Sequence, residues 1–298
     1  MKNKKRLVIA VFIIALIIAV RIILEPKESN PSFKGFNKVD IGKIKSELSA
    51  TLMNIDEVSA FLAPKKIVLV GENHFVAEPQ IYFTQILDKL NDKPIVLLLE
   101  LSQGSQEEID AYLSTGDEKH LQKVFENGHN LPLEYILKWA FINKGRIKKV
   151  IAFDENSLHV LFNRILLTDT RNETMAEKVY SSIKEFQDAR ILVYGGGMHM
   201  LKNGRYRYDS DTRSPIFPRL KKMGVPENEI ASVMLSGTDR FPLDSLWTNK
   251  GALKLNSNLG DLPYEYFIDY PVFGIQKARE AYDLFINLGT LTEIRKAK

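Results

Sequence analysis

The sequence predicts an α/β protein: a mainly parallel central sheet flanked by helices, with an N-terminal membrane-anchor helix and an α+β extension at the C-terminus. Three observations predict it. Ile67–Val70, Ile95–Leu99, Ile147–Phe153 and Ile191–Tyr194 are short runs rich in aliphatic residues, and such runs read as buried parallel strands. Segments with apolar residues at three- and four-residue spacing separate them, the alternation expected of a parallel sheet. Two strands also end alike. The first runs into Gly71-Glu72-Asn73-His74 and the fourth into Gly195-Gly196-Gly197-Met198-His199, so each leads to a Gly-x-x-His. The carboxyl ends of parallel strands share one edge, where open α/β sheets bind their ligands.

In chain order, Lys2–Arg6 is basic and is followed by fourteen uncharged residues, Leu7–Val20; Arg21 interrupts, and Ile22–Leu24 extend the run towards Pro26. No convincing small-x-small cleavage site follows, so Met1–Lys27 reads as an uncleaved signal-anchor rather than a signal peptide. With Arg21 snorkelling, it approaches the ~20 residues needed to span a bilayer. The basic flank stays inside. The expectation is a single-pass protein of the cell membrane, with residues 28–39 as a tether and 40–298 as one α/β domain outside the cytoplasm, 240–298 being its extension.

Asp40–Leu62 is expected to be one helix, with Ile41, Ile44, Leu48, Leu52 and Ile55 on one face. A helix from Glu78 to Leu90 has Pro79 in its first turn. The second strand, Pro94–Leu101, contains Glu100 at the end of its aliphatic run. Helices are expected at Gln106–Leu113 and Leu133–Asn143, and the third strand ends at Asp154. Thr170-Arg171-Asn172-Glu173 fits a capping box opening a helix to Gln187. The fourth strand is Ala189–Tyr194, and Ile230–Leu235 is a fifth. The remainder, rich in Tyr, Phe and Trp, is the α+β extension.

The net charge of +4 is concentrated at the N-terminus: of 41 basic and 37 acidic residues, six basic and one acidic lie in Met1–Lys27, leaving 35 against 36. The domain therefore has no overall basic field for nucleic acid. Without cysteine, disulfides, thiolate catalysis, zinc ribbons and a lipobox anchor are excluded. No GxSxG elbow, HExxH helix or Walker loop is present, and Gly195–Gly197 does not complete GxGxxG.

The strand ends place Glu72, His74, Glu100, Asp154 and His199 on one edge. Two imidazoles and a carboxylate (His74, His199 and Glu100) suit a catalytic divalent metal (Mn, Co or Zn) with an open position, and Glu72 could act as general base on its bound water. The same residues could work without metal, His74 deprotonating water directly. Against this, a histidine after a strand is more often a loop or capping residue. Glu100 is more telling, because a buried carboxylate needs a partner. Arg171 at a helix start opposes the helix dipole unless an acid or anion pairs with it. His120, His129 and His159 read as structural or exposed. Tyr206 and Tyr208, alternating with Arg205 and Arg207, read as a solvated hairpin, with a lid over the site as the alternative.

Gly71-Glu72-Asn73-His74, Glu100 after its strand, Arg171-Asn172-Glu173-Thr174-Met175 and Gly195–His199 together resemble the superfamily joining erythromycin esterases, ChaN-type haem-binding proteins and Tiki/TraB proteins. The resemblance covers Lys65 to Leu201. The Gly-Glu-x-His form is closest to the esterase and ChaN branches; the Arg-Asn-Glu-x-Met helix looks more like Tiki/TraB. It implies an α/β fold with His74, Glu100 and His199 at the core of the site and Glu72 and Arg171 beside them. The activity it implies is hydrolysis of an ester or peptide bond in a small-molecule or peptide substrate by an activated water, with a divalent metal as cofactor. The alternative is haem or iron binding without turnover, although the lipoprotein cysteine of many ChaN-type proteins is missing.

Overall fold

A run of aliphatic side chains with no polar face can satisfy itself only between two covered surfaces, and Ile67–Glu72 (β1) occupies that position. A computed structural model describes residues 35–294 apart from 127–130, 156–169, 209–210, 239, 248 and 269. Met1–Lys27 and most of the tether, together with His129 and His159, lie outside the described residues. Among the described residues no helix is long and apolar enough to cross a membrane.

The other strands are β2 (Ile95–Ser102), β3 (Ile147–Asp154), β4 (Arg190–Gly196), β5 (Arg205–Tyr208), β6 (Asp211–Arg213), β7 (Ile230–Ser236), β8 (Gly251–Lys254), β9 (Val272–Phe273) and β10 (Leu284–Asn287). Seven form the main sheet in the order β3-β2-β4-β1-β7-β10-β8. Every pairing is parallel except β10 with β8. The expected α/β architecture with a mainly parallel sheet is therefore present. A smaller antiparallel sheet, β6-β5-β9, stands apart.

The helices are α1 (Lys38–Thr51), α2 (Ile55–Leu62), α3 (Ala77–Lys89), α4 (Gln106–Thr115), α5 (Glu118–Glu126), α6 (Glu134–Ile142), α7 (Thr170–Glu185), α8 (Ile216–Lys222) and α9 (Ala278–Ala281). Alternate strand residues feed the two cores. Ile67 and Leu69 pack with Met175, Ala176 and Val179 of α7. Val68 and Val70 pack with Phe83, Ile86 and Leu87 of α3. The C-terminal stretch is part of this body rather than an appendage: β8 and β10 extend the main sheet, and Phe241, Trp247, Phe267 and Phe285 form an aromatic cluster against it.

Two local expectations change. The single helix over Asp40–Leu62 is two, because Asn54 caps α2: its side chain accepts from the Asp56 and Glu57 amides while Glu57 returns a bond to Asn54 N at 2.8 Å. Met53 meanwhile pairs with Ala252 beside β8. Thr170 lies inside α7 rather than capping it, and its hydroxyl has no partner among the described residues.

The repeated Gly-x-x-His has a geometric cause. β1 and β4 are neighbours in register, Gly71 opposite Gly195 and Glu72 opposite Gly196. A Cβ on Gly71 would lie 2.6 Å from the Gly197 Cα, and one on Gly196 would lie 2.9 Å from the His74 ring. The glycines let the turn after one strand lie against the other.

Candidate active site

The carboxyl edge of β3, β2, β4 and β1 carries the cleft. Glu72 is the last residue of β1, and its Oε1 lies 2.6 Å from His74 Nδ1. Glu72 is buried while the His74 side chain is 35% exposed, so the carboxylate reaches the cleft only through the imidazole. Glu72, expected as a general base on water, thus stands behind His74 and hydrogen-bonds its Nδ1.

Glu100, near the end of β2, is buried and fully engaged. Its Oε2 accepts from Gly196 N at 2.6 Å, and its Oε1 accepts from Arg171 Nη2 at 2.7 Å and faces His199 Nε2 at 3.4 Å. A side chain on Gly195 would collide with this carboxylate. Arg171, in the first turn of α7, also forks onto Asp154 at the end of β3, Nε to Oδ1 at 2.8 Å and Nη2 to Oδ2 at 2.7 Å. The dipole penalty noted for Arg171 is thus met by two carboxylates. Its Nη1 makes no hydrogen bond among the described residues.

His199 follows β4 and is held by a network. Asn172 Nδ2 can only donate, and it gives to Ser214 O and to Tyr206 Oη, both at 2.8 Å. Asn172 Oδ1 therefore accepts from His199 Nδ1 at 2.5 Å, with Tyr206 Oη 2.9 Å from the same nitrogen. This assigns the Nδ1 proton and turns Nε2 towards Glu100 and the cleft. Tyr206 is buried and lines the cleft, so the solvated-hairpin reading fails for it: β5 pairs with both β6 and β9, and alternation turns Tyr206 inward. The register also places Arg213 of β6 opposite Tyr206, and it lines the cleft too. Asn172 and Arg213 were not expected as site residues, and Tyr206 only under the alternative reading of a lid over the site. His120 pairs with Glu108 at 2.6 Å, away from the cleft, in the structural role read for it.

Burial alone would lower the His74 pKa. The hydrogen bond and charge of Glu72, with the charge of Glu100, outweigh it and raise the imidazole to about 9. Burial raises the Glu72 carboxyl, only partly offset by His74. For Glu100 burial again acts upward, but His199, then Arg171 and His74, hold it well below the usual carboxylate range. Arg171 is shifted upward against its burial by Asp154 and Glu100.

The loop carrying His74 is tied down by the last described residues. Phe75 O accepts from Ile294 N at 2.7 Å, Ala77 N donates to Thr292 O at 3.0 Å, and Val76 bridges to Glu293. On the other side, Tyr282 donates to Gly197 O at 2.8 Å, buttressing the turn before His199.

His74, Glu100, Asp154, Arg171, Gly196, Met198, His199, Tyr206, Leu131 and Arg213 enclose about 200 Å³. The residues expected as a metal set, His74, Glu100 and His199, do share this cleft. They do not fit a metal: among the described residues no three His, Cys, Asp or Glu side chains are arranged to hold one, and the Arg171 guanidinium already occupies the cation position beside Glu100.

No family model and no curated protein matches the sequence. Among solved structures, an erythromycin esterase mutant in its open conformation aligns with a TM-score of 0.59 at 11% identity, over 82% of this chain and 98% of its own. A succinoglycan biosynthesis protein aligns with a TM-score of 0.59 at 11% identity, over 87% of this chain and 100% of its own. The haem-bound ChaN of Campylobacter jejuni aligns less well, with a TM-score of 0.44 at 13% identity over 78% and 91%. One of the three groups that the sequence motifs resemble, the erythromycin esterases, is thus among the structures whose fold the chain shares. At these identities the likeness is one of fold.

Proposed function

We propose that this chain, built on the fold it shares with an erythromycin esterase, hydrolyses an ester or peptide bond with a water activated by His74. The observation that carries this reading is the buried Glu72 behind a partly exposed His74 at 2.6 Å, a base with its orienting carboxylate. Glu72 accepts the Nδ1 proton and so leaves Nε2 to face the cleft. Nε2 takes a proton from water as the oxygen attacks the carbonyl carbon. The Arg171 Nη1 stabilises the oxyanion. As the tetrahedral intermediate collapses, the proton on Nε2 passes to the departing alkoxide or amine. His199, fixed by Asn172 and Tyr206, hydrogen-bonds the substrate from the opposite wall. No step runs through a metal.

The cleft also bears on haem. At about 200 Å³ and lined by six ionisable residues besides Tyr206, it lies below the ~300–1,000 Å³ typical of pockets that enclose larger ligands, and its polarity suits a carbonyl better than a porphyrin.

The test is turnover of a panel of esters and peptides by the full-length protein, before and after chelator treatment. His74→Ala is expected to lower kcat by roughly 10²–10⁴, with chelation changing little. Full activity in His74→Ala, or no turnover beside stoichiometric haem binding, would overturn the reading. The anchor read in Met1–Lys27 adds that the reaction takes place outside the cytoplasm. Externally added protease should then degrade the domain in cells or spheroplasts with an intact cell membrane, and complete protection would remove that part of the proposal.

A further inference from the structure

Phe75 follows His74, and among the described residues it is the one non-glycine residue with positive φ, at +65°. Glycine or asparagine enters this left-handed region at little cost, whereas a bulky side chain is penalised. Burial of an aromatic ring could offset the penalty, yet Phe75 is 37% exposed. The ring is therefore not sealed in the core, and part of it faces outward. It stands edge-on to the His74 imidazole, with centroids 6.0 Å apart at 71°. The C-terminal segment holds the backbone in place through Ile294 N on Phe75 O and Thr292 O on Ala77 N. The cleft's own apolar lining residues include Leu131 and Met198, while Glu100, Asp154 and Arg171 make a polar wall.

We propose that Phe75 is a specificity-determining residue: its ring forms an apolar wall at the mouth of the cleft, and the substrate carries an alkyl or aryl group beside its scissile carbonyl. This rests on the hydrolase reading and narrows it. With the carbonyl held against Arg171 and within reach of His74, a group extending out of the cleft on the His74 side meets the Phe75 ring.

The test compares full-length wild type, Phe75→Ala and Phe75→Leu. Binding of hexanoate and acetate is measured by calorimetry, and hydrolysis of the corresponding p-nitrophenyl esters by absorbance. Covering part of a C6 chain is expected to favour hexanoate over acetate by about tenfold in wild type. That preference should fall to within about twofold in Phe75→Ala and survive in Phe75→Leu. Equal binding of the two acids by wild type, or an undiminished preference in Phe75→Ala, would overturn the proposal. If neither ester is turned over but the Phe75-dependent preference persists in binding, the apolar wall stands and the hydrolase reading falls.

Discussion

Arg171→Ala is expected to destabilise the domain by about 3–5 kcal/mol, the usual cost of removing one partner from a buried ion pair. Glu100 and Asp154 are 4% and 15% exposed, and both direct their carboxylates at this guanidinium. Without it, Glu100 keeps only the Gly196 amide and a 3.4 Å approach from His199. Arg171→Lys, with charge but no fork, should fall between. Adding Glu100→Gln to Arg171→Ala should recover part of the loss, because the stranded charge is then gone. Urea unfolding of the three variants measures this; a loss below about 1 kcal/mol in Arg171→Ala would mean that the fork contributes little. The pH dependence follows in sign. Glu100 is held well below its ordinary pKa, so its contribution is complete above the unfolded carboxylate range and is lost as pH falls towards the depressed folded value.

The second large effect is kinetic. With His74 at about 9, roughly one molecule in a hundred has the free base at pH 7. kcat/KM should therefore climb about tenfold per pH unit, some hundredfold in all, before levelling near pH 9. Glu72→Gln removes the charge that sustains this shift, so its limb should move down towards the ordinary histidine value of ~6.5, with a lower plateau. A pH–rate profile with no limb between pH 5 and 9 would show that His74 is not the base, and a limb near ~6.5 would show that Glu72 does not raise it. Stability runs the other way. A raised imidazole stabilises fully below its unfolded pKa and loses that contribution as pH rises through about 9. Because the ring is 35% exposed, solvent screening keeps that loss small. Thermal melts between pH 6 and 9.5 should drift downward while activity rises.

The five strands read from the sequence were legible because each is rich in aliphatic residues, and the ends of three were read one or two residues short because Gly71 and Glu72, Ser102, and Gly195 and Gly196 continue the ladder without continuing the apolar pattern. The break before α2 was also in the sequence: Asn54-x-x-Glu57 is a capping motif, overlooked because the apolar spacing runs straight through it. Site residues attached to strand ends, His74, Glu100, Asp154 and His199, could be placed because parallel strands share an edge. Asn172 and Tyr206 could not. Their function depends on where α7 and the β5–β6 hairpin land: alternation separates Tyr206 from Arg205 and Arg207, but nothing local says which face of the hairpin turns inward. The expected metal set failed for a related reason. The residue types suited a metal, but the guanidinium beside Glu100 came from a helix 71 positions away, and only the fold shows that it takes the cation's place.

The bonds between Thr292–Ile294 and the loop after β1 join nearly opposite ends of the described chain. A ribosome makes His74 long before residues 292–294, and β1 cannot be flanked on both sides until β4 and β7 have been made. Contacts this distant in sequence close late. The nascent chain therefore carries His74 on an untethered loop until residues 292–294 are made, and that tether closes after every strand of the main sheet is available.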